Sequence, residues 1–281
     1  MLRRFSVATG AALLALTPAT AHHSNGFHWA GDGQTLHLRV NLAITPQWYP
    51  SVETAISDWD ESTELTLSSR IAGVDRRKCN PILGQILVCS FRYGVTGWFG
   101  IATIYYRISD NHMVAATTRL NDTFFSDPRY PIDTPEDWRA LTACQEIGHD
   151  FGLDHQDETF DTINLGTCMD YTPAPAGGVW FNGFDYGPPN EHPNAHDYEE
   201  LSIIYDHDDG FTTAVSATDF GLREVGRAVP QTRQGLGESP VEWGRAIHHD
   251  GRGRPDVFLK DLGGGERALT HVLWAPGQRP H

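Results

Sequence analysis

The chain has 281 residues, 40% of them hydrophobic and 20% charged, with a formal net charge of -15. A chain of this length buries a core easily. Its acidity leaves no electrostatic footprint for nucleic acid or anionic lipid, so neither is an expected partner.

Residues 1–21 carry Arg3 and Arg4, an apolar run from Val7 to Leu16, and Ala19-Thr20-Ala21. This is the pattern of a secretory signal peptide. The apolar part is shorter than the ~20 residues a membrane span requires, and no later stretch is long and apolar enough. The mature chain is therefore expected to begin near His22 and to be secreted, extracellular or periplasmic, as a monomer. Loss of Arg3 and Arg4 takes the formal charge from -15 to -17.

Leu36, Leu38, Val40 and Leu42 alternate with polar residues over 35–43, the period of a half-buried strand. Residues 48–62 read as a helix, with Ser51 as cap and Val52, Ile56 and Trp59 on one face. Strands follow at Leu65 to Ile71 and at 85–91, around Ile86, Val88 and Cys89. A further strand covers 97–106 and another 113–120, which Asn121-Asp122 ends. The four cysteines, an even number as export favours, permit three pairings. Cys79 with Cys89 and Cys144 with Cys168 is the local choice.

After Pro128, Pro131 and Pro135 comes a helix that carries the chemistry. Thr134 can cap it, Pro135 suits its first position, and Glu136 and Asp137 favour its positive end, Asp137 in a capping box. Within Cys144-Gln145-Glu146-Ile147-Gly148-His149, Gln145 and His149 are four apart and share a face, the spacing at which two side chains share one ion. Gly152 can take positive φ, end the helix and return His155 to the same ion. Downstream lies Thr167-Cys168-Met169-Asp170-Tyr171.

Glu-x-x-His-x-x-Gly-x-x-His followed by Met-x-Tyr resembles the metzincin group of zinc-dependent endopeptidases, whose pattern is HExxHxxGxxH plus a Met-turn. The departure is Gln145, where that group has histidine. An amide oxygen is a weaker zinc donor than imidazole. Three arrangements stay open: Gln145 ligates weakly; Asp157 or Tyr171 completes the sphere around His149 and His155; or the metal has been lost.

The resemblance implies an α+β fold: a zincin-like domain over 22–209 with a mixed twisted sheet, an active-site helix and a C-terminal helix. It implies zinc as cofactor, a peptide or protein substrate, Glu146 as general base and Tyr171 as metal ligand or oxyanion donor. Met169 resembles the apolar floor beneath the ion; filling an ordinary core gap is its plainer role. Gly100, Ile101 and Ala102 resemble the strand that pairs with an extended substrate. A glycine-broken strand at a bulge accounts for them equally well.

Residues 173–193 are rich in Gly, Pro and Asn with Trp180, Phe181, Phe184 and Tyr186 interleaved, a loop by the cleft wall, a lid or a connector. Residues 194–206 read as the closing helix. Residues 210–254 show little periodicity and read as a linker or loosely ordered stretch. Over 255–281, Val257-Phe258-Leu259 and Ala268 to Trp274 flank Gly263-Gly264-Gly265, a β-hairpin tail. Neither that triplet nor Gly31-Asp32-Gly33 has the flanking residues of a phosphate loop.

His248-His249-Asp250, with no serine nucleophile motif, reads as a solvated surface cluster. Asp154, Asp157, Asp161, Asp206, Asp208 and Asp209 could hold a structural calcium ion, but the EF-hand pattern is absent and solvated carboxylates are the plainer reading. The rival function is a catalytically inactive protease-like module binding peptide or polysaccharide. A glycan hydrolase with paired carboxylates has no positional support.

Overall fold

The computed structural model describes residues 24, 26–127, 129, 132–181, 183–215 and 234–276. The expected signal segment 1–21 lies outside them. The described chain is an α+β unit on one mixed sheet of nine strands. In chain order come β1 (His28–Trp29), β2 (Leu36–Ala43), α1 (Tyr49–Trp59), β3 (Leu65–Ile71), β4 (Ile86–Phe91), β5 (Trp98–Arg107) and β6 (His112–Asn121). Then follow α2 (Asp122–Ser126), α3 (Pro135–His149), α4 (Ala195–Tyr205), α5 (Pro240–Trp243), β7 (Arg245–His249), β8 (Pro255–Gly263) and β9 (Glu266–Trp274).

The sheet runs β3-β2-β4-β6-β5-β9-β8-β7, with β1 beside β6. The β3, β2, β4 and β6 pairings are parallel, whereas β5 is antiparallel to both β6 and β9. The central strands β4 and β5 are buried nearly throughout because both faces of the sheet are covered. On one face Val52, Ile56 and Trp59 of α1 and Ala143 and Ile147 of α3 join Val40, Ile86 and Val88. On the other, Leu236 and Trp243 close over Trp98, Ile101, Tyr105 and Val272.

Two expected caps are not made. α1 begins at Tyr49 after a 3-10 turn, Pro46–Trp48, so Ser51 lies inside its first turn. Its start is anchored from outside instead, the Trp48 indole N–H donating to Asp122 Oδ1 at 2.7 Å. Thr134 is left-handed, with φ 51°, and its side chain caps nothing, which leaves Asp137 no capping-box partner. The box does form on α4: Asn194 Oδ1 accepts from His196 N and Asp197 N, and Asp197 Oδ2 accepts from Asn194 N.

The C-terminal third departs most from expectation. Within 210–254, read as linker, the described part holds α5 and the edge strand β7; residues 216–233 lie outside the described residues. The β8–β9 hairpin turns through Gly263, Gly264 and Gly265, all at positive φ, the conformation that glycine takes without steric cost. It is not a separate tail. β9 pairs with β5 from Trp98 to Arg107, so the hairpin extends the central sheet.

Candidate metal centre

The helix α3 delivers Glu146 and His149, and the chain turns back at Gly152 as the spacing predicts. Gly152 has φ 94°, and a Cβ there would lie 2.1 Å from the Phe27 carbonyl oxygen. Both a left-handed residue and a close backbone approach demand glycine here. Gly152→Ala is expected to cost on the order of 3 kcal/mol or more, read as a shift in the urea midpoint. An unchanged midpoint would show that the turn is not what fixes the returning histidine.

The turn orients both imidazoles. His149 Nδ1 lies 2.9 Å from the Leu153 carbonyl, to which it can only donate, so its neutral ring keeps Nε2 bare. His155 Nδ1 lies 3.3 Å from Glu158 Oε1, which likewise leaves its Nε2 bare when the ring is neutral. The two Nε2 atoms face each other at 3.1 Å. Two lone pairs aimed at each other repel unless a proton or a cation sits between them.

The third imidazole at this place is His271 of β9. His149, His155 and His271 offer ligand atoms all within 4.8 Å of one another, and all three residues are buried. The His271 ring stacks on His149 with centroids 4.0 Å apart, and its Nδ1 has no hydrogen-bond partner. Burial, then the neighbouring His271 and His155, holds His149 well below the usual imidazole range. Burial likewise takes His271 down to about 4 against the pull of Asp154. For His155, burial acts downward but Glu158 and Asp154 outweigh it, so its proton affinity rises. Near neutrality His149 and His271 are therefore unprotonated, the form that binds metal.

Glu146 is fully buried and neither carboxylate oxygen has a hydrogen-bond partner. Burial, then the charge of Asp150 one turn on, pushes its carboxyl well above the usual range; the peptide groups of Leu273 and Ala102 offset this only in part. β5 lies directly against it. A Cβ on Gly100 would stand 2.6 Å from Glu146 Cγ, so glycine lets the strand approach. Beneath α3, a Cβ on Gly148 would stand 2.7 Å from Met169 Sδ, which places Met169 tight under the helix. Both expected disulfides are present, Cys79–Cys89 and Cys144–Cys168, and the second ties α3 to the turn that carries Met169.

Five expected site residues are placed otherwise. Asp157 spends its carboxylate on Thr159 N, at 2.9 Å, and Thr162 Oγ1, at 3.2 Å, and belongs to no converging ligand group among the described residues. Gln145 donates through Nε2 to the Cys168 carbonyl at 2.8 Å, while its Oε1 is buried without a hydrogen-bond partner. Gly100, Ile101 and Ala102 present no free edge, since β5 pairs with β6 on one side and β9 on the other.

Tyr171 lies beside His155, ring centroids 4.2 Å apart, but its hydroxyl donates to Asp256 Oδ2 on β8 at 3.1 Å. Asp256 Oδ1 meets His248 Nδ1 at 2.9 Å, and His248 Nε2 lies 3.3 Å from Glu158 Oε2. His155, Glu158, His248, Asp256 and Tyr171 thus form one polar chain that fastens the hairpin to the Met-turn. His248 and His249 are exposed, as the sequence reading has them, although His248 is tied into this chain; Asp250 is instead buried and paired with Arg254. None of the converging groups among the described residues consists of carboxylates alone, as a calcium site would.

Three imidazoles around one point form a zinc-type donor set, and the facing Nε2 atoms of His149 and His155 and the unpartnered Glu146 carboxylate fit a cation there. His271 carried no motif signal. A histidine in an apolar strand, Ala268 to Trp274, looks like an ordinary buried position, and only its register opposite Ala102 brings it to the helix.

No family model matches the sequence, and no curated protein matches it either. Among solved structures the chain is similar to myroilysin, at 14% identity and TM-score 0.36, over 66% of this chain and 98% of that one. It is also similar to high choriolytic enzyme 1, a hatching enzyme zinc-protease from Oryzias latipes (Medaka fish), at 10% identity and TM-score 0.35, over 64% of this chain and 94% of that one. At those scores the likeness carries no argument about chemistry, which rests on the side chains of the site.

Proposed function

We propose that the chain is an exported zinc-dependent endopeptidase whose own C-terminal hairpin closes its catalytic centre. The observation that carries this is the meeting of three imidazoles beside a buried, unpartnered glutamate. Zinc, when bound, supplies a Lewis acid that polarises the scissile carbonyl and lowers the pKa of water to ~7. His149, His155 and His271 would hold it. Glu146 takes the proton of the attacking water and returns it to the departing amine nitrogen. Once released from Asp256, the Tyr171 hydroxyl can donate to the oxygen on which charge develops.

The closed state follows from the sheet. An extended peptide that added to β5 would use the hydrogen-bonding edge that β9 occupies. His149, His155 and Glu146 are 3% exposed or less, so water and substrate enter only after the hairpin gives way. When β9 leaves, His271 leaves with it. Gln145 Oε1, buried and unpaired, is the donor left on the helix face.

A protease site engineered into residues 216–233 tests this. The zinc-loaded mature chain should cleave an unfolded protein slowly, and faster once it has been nicked, with activity lost to a chelator and restored by zinc. No zinc-dependent cleavage before or after nicking would defeat the proposal.

The second reading, a non-catalytic binding module, is favoured by a cavity of roughly 300 Å³ lined by Phe99, Phe124, Trp138, Trp180 and Phe181 beside the sealed centre. It requires peptide or polysaccharide to perturb tryptophan fluorescence without being cut.

A further inference from the structure

A second group of metal-type ligands converges where β1 meets the segment that follows α4. His28 Nε2 lies 3.0 Å from His207 Nε2 and 3.5 Å from Asp209 Oδ2, and His207 Nε2 lies 3.3 Å from Asp209 Oδ1. We propose that His28, His207 and Asp209 form a second binding site for a divalent transition-metal cation such as zinc, separate from the His149 centre and independent of its function.

The distances carry the assignment. Tetrahedral zinc with bonds of ~2.0–2.1 Å sets its ligand atoms ~3.3 Å apart; the two imidazole nitrogens stand 3.0 Å apart, and each lies 3.3–3.5 Å from its own oxygen of the Asp209 carboxylate. Hydrogens alone serve the triangle poorly, because only one of two facing Nε2 atoms can carry a hydrogen toward the other. A cation serves all three contacts at once. Two imidazoles and one carboxylate form a set that borderline cations accept.

The site is also built. Asp209 is fixed through its backbone, its N–H donating to the Gly31 carbonyl at 2.8 Å, and through its side chain, Oδ2 accepting from Gly31 N at 2.9 Å. His112 points Nε2 at Asp209 Oδ1 from 3.1 Å. The guanidinium of Arg107, a donor only, contacts His112 Nδ1 at 3.2 Å, so the neutral His112 ring carries its hydrogen on Nε2 and donates it to Asp209. His112 therefore orients the carboxylate and does not ligate, the outer-shell role that metal sites commonly use. With His207 41% exposed at its side chain, a solvated ion reaches the site without opening the fold. Bound there, it would clasp the N-terminal strand to the segment that follows α4.

Equilibrium dialysis of the full mature chain against zinc tests the assignment. The wild type should hold two ions per chain. His207→Ala and Asp209→Asn should hold one, with unchanged far-UV circular dichroism and unchanged cleavage. His112→Ala should still hold two, the weaker-bound ion with affinity reduced roughly 10–100-fold. Equal stoichiometry in the wild type and both His207 and Asp209 variants would overturn the site. One ion in the wild type and none in His207→Ala would uphold it while removing the His149 centre.

Discussion

Replacement of His271 by alanine is expected to weaken zinc binding by at least on the order of 100-fold, since loss of a mere outer-shell partner already costs 10–100-fold. The side chain is buried and stacked on His149, and its Nδ1 has no hydrogen-bond partner. Gln145→Ala should change affinity by no more than a few-fold in the full chain, because His271 holds the third position while the hairpin is docked. Competition against a chelator of known affinity measures both, each variant first shown folded by circular dichroism. If Gln145→Ala cost more than His271→Ala, the donor set would be that of the helix and not that of the sheet.

Glu146→Gln should lower peptide hydrolysis by roughly 10²–10⁴-fold, the usual contribution of a general base, while zinc stays bound. The same change should stabilise the metal-free protein near neutrality. The glutamate's folded-state pKa is raised, so the folded protein keeps a proton that the unfolded chain releases above about pH 4.3. Stability from this group is full below that pH and declines as pH rises toward the folded value. Glutamine has no proton to lose. Urea midpoints between pH 5 and pH 8 should fall more steeply for the wild type than for the variant. Some slope should remain, because burial raises Asp150 in the same direction. Matching slopes, or undiminished cleavage, would mean that Glu146 is not the buried base proposed.

Much of the scaffold was legible because its signals are local. The alternation of Leu36, Leu38, Val40 and Leu42 marked β2, and β5 was legible as a strand, though not as one paired on both sides. Both disulfides followed from proximity along the chain. Caps were less secure. Thr134 has the right side chain, but its backbone is left-handed and turned away from the helix it should cap. α5 and β7 lacked periodicity because a four-residue helix and an exposed edge strand show too few turns or alternations to register.

By itself the sequence determined the helix with Glu146 and His149, the turn at Gly152 and the return of His155. These depend on residues a few positions apart, where helix geometry and one glycine's φ leave little choice. Only the tertiary structure decided that His271 is the third imidazole, that Asp157 faces its own loop, and that β9 occupies the edge of β5. Strand pairing between distant segments is a matter of register and shape. A hairpin's sequence says that it will find an edge but not which one, and that edge decides which buried histidine meets the helix.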